Sequence, residues 1–295
     1  MMKKRTRRLY IVDYLITPDR RIENGAVLCE DERILAVGGV SAFAQEPEVE
    51  VLRFDNAYMT PGFIDTHIHG AGGFDCSSVE ISPHPIEEMS RILAERGVTT
   101  FFPTVVASPH EEMLRNLELL ADRMNGSLPG AAASGINIEG PFINPFKRGA
   151  QQQESIVPID LGFAGELVAA GKGLVKVMTF APELDRSAEL VEFLVDHGVK
   201  PSMGHSVANE QQTLRAIDAG ACHCTHLFNG MPPLHQREMG LSSIALTDNR
   251  VTVELIIDGR HIHPRMVDLA CRCKPAHELV GISDCTMAAG MPNGE

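Results

Sequence analysis

From Pro61 onward the chain repeats one pattern: a short apolar run of strand type, usually followed by a helical stretch. The runs cover 62–68, 99–107, 135–139, 174–181, 200–205, 221–229, 251–258 and 279–284. Ile86, Met89 and Leu93 share one helical face in a stretch that stops at Gly97. Ser108-Pro109 opens a second helix with Met113, Leu117 and Leu120 inward, and it closes at Gly126. A third, capped by Asp185, runs to Gly198. Eight strands joined in this way predict an α/β fold, a closed parallel (β/α)8 barrel of TIM-like form. The rival, an open doubly wound sheet, lacks its glycine-rich phosphate fingerprint after the first strand.

Residues 9–60 have a different texture. Apolar runs at 9–16, 25–29, 33–37 and 50–54 alternate with turn clusters such as Thr17-Pro18-Asp19 and Glu23-Asn24-Gly25. The expected organisation is therefore a small β-sandwich unit over 1–60 and a hydrolase barrel over 61–295. A length of 295 residues suits one barrel with a small appendage.

A formal charge of −13 argues against nucleic acid or an anionic membrane surface as partner. An anionic substrate would need a local basic pocket. No apolar run reaches the length of a membrane span. The basic start at 1–8 leads into an apolar stretch, but Asp13 interrupts it and no small-residue cleavage site follows. The seven cysteines include two CxC pairs, Cys222/Cys224 and Cys271/Cys273, which read as reduced thiols. A cytoplasmic location is the expectation.

The chemistry lies at the strand ends. In Pro61-Gly-Phe-Ile-Asp-Thr-His-Ile-His-Gly70, His67 and His69 are two apart, so both imidazoles fall on one face of a strand. Active sites of such barrels sit at the carboxyl ends of the strands. Those ends supply His67 and His69, then Glu139, His205, His226, the pair Asp258 and His261, and Asp284. A single such residue has a plain structural reading, a buried histidine bonded to backbone or a carboxylate capping a helix. All of them in register with the rim indicate a metal hydrolase site, with imidazole and carboxylate suited to Zn²⁺ or Fe²⁺. In Cys222-His-Cys-Thr-His226, alternation puts Cys222, Cys224 and His226 on one face and His223 on the other. The cysteines are expected to act as small hydrophobes, leaving His226 to reach the rim.

The stretches PGFIDTHIHGAGG, GINIEGPFINPFKRGA, TFAPE, MGHS, THLFNGMPPLHQREMG, ELIIDGRHIHP and SDCTMAAGMPNGE follow in order from residue 61 to the end. In them the chain resembles the N-acetylglucosamine-6-phosphate deacetylases of the amidohydrolase superfamily. The resemblance implies that Glu139, His205 and His226 bind one divalent metal. His67 and His69 leave room for a second ion sharing Glu139. It implies Asp284 as general base and His261 as the group that polarises the amide carbonyl. Gly140, Asn229 and Gly230 fall at substrate-contact positions, and Arg237 at that of a phosphate-binding arginine. Arg260, Lys147 and Arg148 read as solvated surface charges that could extend a basic pocket.

The implied reaction is hydrolysis of the acetamide of an N-acetylhexosamine 6-phosphate to acetate and the amino sugar phosphate, by a homodimer. Gln151 stands where relatives usually carry a sugar-contacting histidine, which leaves the glucosamine and galactosamine epimers as alternatives. The family pattern continues beyond strand eight with a substrate loop, helices and the second half of the sandwich. The expectation is thus a fragment with exposed sandwich edges, prone to association and weakly active. An inert metal-binding protein and a metal-free transferase are the rivals from other classes.

Overall fold

The computed structural model describes residues 5–44, 46, 49–77 and 85–292. The first four residues of the basic start and the last three of the MPNGE stretch lie outside them. The chain divides into two compact units, Met1–Gly62 and Phe63–Glu295.

The first unit holds β1 (Arg7–Ile16), β2 (Arg21–Glu30), β3 (Arg33–Gly39) and β4 (Glu50–Met59) in one sheet of order β3-β2-β1-β4. β1 runs antiparallel to β2 and parallel to β4. The register slips between Val12 and Tyr14, so Leu9 and Ile11 join one cluster while Val12 and Leu15 join another. A one-residue slip turns subsequent side chains to the opposite face. The expected sandwich is represented by this single four-stranded layer.

The second unit is the barrel. Its elements begin with β5 (Phe63–Ile68), the hairpin β6 (Gly70–Ala71) and β7 (Phe74–Asp75), α1 (Pro85–Glu95) and β8 (Val98–Val106). Then come α2 (His110–Met124), β9 (Ala132–Ala133), β10 (Ile136–Glu139), α3 (Leu161–Ala170), β11 (Val175–Phe180) and α4 (Ser187–Asp196). The last third adds β12 (Lys200–Met203), α5 (Glu210–Ala219), β13 (His223–Cys224), α6 (Leu241–Thr247), β14 (Thr252–Ile256), α7 (Pro264–Cys273) and β15 (Leu279–Ile282).

The ladder runs β5-β8-β10-β11-β12-β13-β14-β15, parallel at each pairing. The ring nearly closes where β15 returns to β5: Asp284 N donates to His67 O at 2.9 Å and His69 N to Cys285 O at 2.8 Å. This is the eight-stranded TIM-like barrel that the pattern predicts.

Side chains alternate between two environments. Ile136, Ile138, Met178, Phe180, Val253 and Leu255 face the helices and are 0–1% exposed. Each such burial contributes about 1.5–3 kcal/mol relative to exposure. The other face is polar at mid-height: Thr225 Oγ1 lies 2.8 Å from Thr179 Oγ1 and 2.5 Å from Ser202 Oγ. These hydroxyls satisfy one another in a region that excludes water.

One helix start differs from expectation. Arg186 rather than Asp185 precedes α4, in a left-handed conformation of φ +66° without a side-chain cap. α2 does open at Ser108-Pro109, with Pro109 directly before His110.

Candidate metal centre

Three of the expected site residues share a local geometry. His205, His226 and Asp284 each sit two residues past the last residue of their strand, β12, β13 and β15. All three have positive φ, +45°, +27° and +50°. A non-glycine residue reaches that region only at a cost, and the ladder cannot continue through it. The turn swings each side chain over the barrel mouth. Backbone bonds hold it there: Asn144 N donates to His205 O at 2.9 Å, and His226 N donates to Glu254 Oε2 at 3.2 Å.

Glu139, the last residue of β10, stands at the centre. Its Oε1 lies 2.8 Å from His205 Nε2, 2.9 Å from His226 Nε2 and 3.6 Å from His67 Nε2. Its Oε2 lies 3.5 Å from His69 Nε2. Asp284 Oδ1 lies 3.0 Å from His69 Nε2 and 3.6 Å from His67 Nε2. Two overlapping groups share Glu139: His67, His69 and Glu139, and Glu139, His205 and His226.

The electrostatics follow from crowding carboxylates and imidazoles out of water. Burial opposes the charge on Glu139, but His205, His226 and His67 outweigh it and hold the carboxyl well below its usual range. Burial likewise opposes charge on His67, yet Glu254, Glu139 and Asp284 push it up to about 10. His205 is raised against its burial by Glu139. Asp284 is lowered against its burial, first by His69.

These donors fit a divalent cation. His205 Nδ1 lies 2.6 Å from Lys147 O, which fixes the hydrogen there and leaves Nε2 free to ligate. His67 Nδ1 lies 3.0 Å from Glu254 Oε2, while its Nε2 is buried without a hydrogen-bond partner. Ligands about 2.1 Å from a tetrahedral ion stand about 3.4 Å apart. The 2.8–3.6 Å separations here bracket that spacing.

The remaining expected residues fall in three settings. His261 is half exposed and makes no bond to the Glu139 cluster among the described residues; its Nδ1 lies 2.8 Å from Asp258 Oδ2. Asp258 also accepts from the backbone of Arg260 and His261, which holds it at about 2. Arg237 is exposed in the loop between β13 and α6, the same loop that carries Asn229 and Gly230. A Cβ on Gly230 would meet His205 Nδ1 at 3.2 Å, and φ there is +64°. Gly140, φ +99°, lets the chain turn directly after Glu139. Gln151 is 6% exposed; its Nε2 donates to Glu139 Oε2 at 3.1 Å and its Oε1 accepts from Ala107 N at 3.2 Å.

Two carboxylates were not anticipated. Glu183 accepts from Ser206 Oγ at 2.7 Å, Val207 N at 2.7 Å and Asn144 Nδ2 at 2.8 Å, bracing the turn after His205. Glu254 in β14 is fully buried and touches His67, His223 and the His226 backbone. A lone carboxylate inside the apolar run 251–257 was the available signal. His223 therefore does not face away from His226, as alternation implied. β13 lasts only two residues, and the left-handed turn at His226 brings its backbone N–H to the carboxylate that the His223 side chain also meets. Cys224 is buried in the hydrophobic core, which pushes its thiol pKa up.

Comparison with known proteins agrees with this geometry. The amidohydrolase family model matches residues 58–288. An N-acetylglucosamine-6-phosphate deacetylase of Bacillus subtilis (strain 168) is 36% identical over 284 residues, 95% of this chain and 71% of that protein. An N-acetylgalactosamine-6-phosphate deacetylase of Escherichia coli O157:H7 is 34% identical over 265 residues, 90% of this chain and 70% of that one. A solved N-acetyl-D-glucosamine-6-phosphate deacetylase from Mycobacterium smegmatis, a point mutant in complex with N-acetyl-D-glucosamine-6-phosphate, superposes with a TM-score of 0.88 at 33% identity. That match covers 97% of this chain and 73% of the other. Barrel, histidine and carboxylate cluster, and likeness converge: the chain belongs to the amidohydrolase family, in its N-acetylglucosamine-6-phosphate deacetylase branch.

Proposed function

We propose that the protein hydrolyses the acetamide of N-acetyl-D-glucosamine 6-phosphate to acetate and D-glucosamine 6-phosphate. The observation that carries this is Glu139 Oε1 within 2.9 Å of both His205 Nε2 and His226 Nε2, in a chain 36% identical to a deacetylase of that substrate. Glu139, His205 and His226 would hold one divalent ion, Zn²⁺ or Fe²⁺, and His67 with His69 a second that shares Glu139. A bound ion supplies Lewis acidity and makes hydroxide available near neutral pH.

Asp284 takes a proton as the water oxygen bonds to the acetamide carbon. It returns that proton to the amine nitrogen as the C–N bond breaks. Its lowered pKa means that the carboxylate is ionised before the proton arrives. His261, its ring oriented by Asp258 from Nδ1, is the group that polarises the carbonyl oxygen as negative charge develops there. Arg237 offers a planar fork to the phosphate in an otherwise acidic protein. Asn229 and Gly230 meet the sugar phosphate, and Gly140 and Gln151 complete the substrate side.

Acetate release from the two epimeric N-acetylhexosamine 6-phosphates, with and without a chelator, tests the reading. The expected result is preference for the glucosamine epimer and loss of turnover on chelation. Preference for the galactosamine epimer would move the substrate to that of the Escherichia coli relative. Bound metal without acetate from either would leave a metal-binding protein, and turnover indifferent to chelation would exclude the proposed mechanism. A homodimer in the cytoplasm completes the proposal. Among the described residues no helix is long and apolar enough to cross a membrane, and all seven cysteines are free.

A further inference from the structure

Glu254 is 0% exposed in the middle of β14, where Val253 and Leu255 on either side face the hydrophobic core. A buried carboxylate is costly, and an aliphatic side chain would suit the strand better. Each of its oxygens is used. Oε2 lies 3.0 Å from His67 Nδ1 and accepts from His226 N at 3.2 Å. Oε1 lies 3.1 Å from His223 Nε2. His223 is anchored in turn, its Nδ1 2.5 Å from Thr252 Oγ1, and that hydroxyl donates to Cys222 O at 3.2 Å.

An ionised carboxylate only accepts, so the hydrogen on His67 must sit on Nδ1. Nε2 is then the one nitrogen of that ring able to offer a lone pair, and it is the buried atom without a partner, 3.6 Å from Glu139 and from Asp284. The same oxygen restrains the left-handed turn at His226, a residue of the other half of the cluster.

We propose that Glu254 is a positioning residue. It fixes which nitrogen of His67 faces the centre and holds the His226 turn, so one carboxylate from beneath sets both halves of the site. This rests on the reading that the cluster binds a divalent ion. The carboxylate touches no position that substrate would occupy, so it acts only through the two histidines.

The test uses the full chain, zinc titrated against a competing chelator, and ¹⁵N spectra of the imidazoles in the zinc-loaded protein. Glu254→Leu removes every acceptor, and the expected loss of zinc affinity is about 10–100-fold. Glu254→Gln keeps an oxygen for His67 and His226 and turns its amide to His223, so it should bind zinc more tightly than the Leu variant. In the wild type, His67 should keep its hydrogen on Nδ1 and ligate through Nε2. Wild-type affinity in a folded Glu254→Leu chain would overturn the proposal, as would ligation through Nδ1. If the Leu variant does not fold, the wild-type spectrum decides alone. A wild-type chain that takes up no zinc overturns the metal reading instead, and the metal-free spectrum, taken above the pH of about 10 at which the ring becomes neutral, still reports which nitrogen of His67 keeps its hydrogen.

Discussion

The Nε2 atoms of His205 and His226 lie 3.0 Å apart, and Glu139 Oε1 closes the triangle at 2.8 and 2.9 Å. Glu139 also faces His67 and His69, so it is the only carboxylate common to both groups among the described residues. Glu139→Gln should therefore lower metal content and acetate release together. The loss should exceed the roughly 10–100-fold that a supporting residue costs. Metal analysis of the purified variant beside a turnover assay checks it. Full metal occupancy in the variant would contradict the shared-ligand reading.

Asp284 touches His69 but approaches Glu139 only through the histidines, which separates proton transfer from metal retention. Asp284→Asn keeps an oxygen toward His69 while removing the base. The expected outcome is a drop in kcat of about 10²–10⁴-fold with metal content retained. The acid limb of the kcat/KM profile should disappear, since the titrating carboxyl is gone. Loss of metal in parallel would make Asp284 chiefly a ligand.

The barrel and its rim were legible because both rest on local signals. Strand runs such as 135–139 end in one polar residue, and parallel topology puts those ends on one side. The turns were not legible. Nothing in the run 221–229 announces that β13 stops at Cys224 or that His226 adopts positive φ, because tertiary hydrogen bonds that this backbone donates to Glu254 hold it. Period-two reasoning consequently put His226 on the face of Cys224 and opposite His223, whereas only Cys224 and His223 are opposed. Gln151 was read as a substrate contact by resemblance; that its carboxamide also spans Glu139 and Ala107 is a long-range relation that no spacing rule anticipates. Gln151→Leu should thus loosen Glu139 and weaken metal binding by about 10–100-fold, measurable by chelator competition.

In the metal-free chain, proton binding at His67 links pH to stability. Its pKa rises from 6.5 to about 10 because three carboxylates outweigh its burial. A histidine raised in the folded state contributes stability that is complete below pH 6.5 and fades as pH climbs toward about 10. The Tm of chelated protein should fall across that window, and His67→Asn should flatten the fall. Zinc binding near neutral pH should release protons, because the imidazole must give up a hydrogen to ligate. Titration calorimetry in buffers of different ionisation enthalpy measures that number. A pH-independent Tm in the chelated wild type would contradict the linkage.

Gly204, immediately before His205, gives a steric route to the same centre. A Cβ there would meet Thr225 Cβ at 2.8 Å and Thr179 Cγ2 at 3.0 Å, within the hydroxyl layer that supports His226. Neither atom is the far end of a flexible chain, so β12 and β13 must separate. Gly204→Ala should cost about 1–3 kcal/mol by overpacking, and metal affinity should fall with it. Gly173→Ala is the control. At φ +82° with nothing within 4 Å of the added methyl, it should cost about 1 kcal/mol in backbone strain alone and leave metal affinity unchanged. Thermal melts and chelator competition on both variants separate general destabilisation from displacement of the histidines. Equal metal affinity in the two would show that the packing beneath the site does not set its ligand geometry.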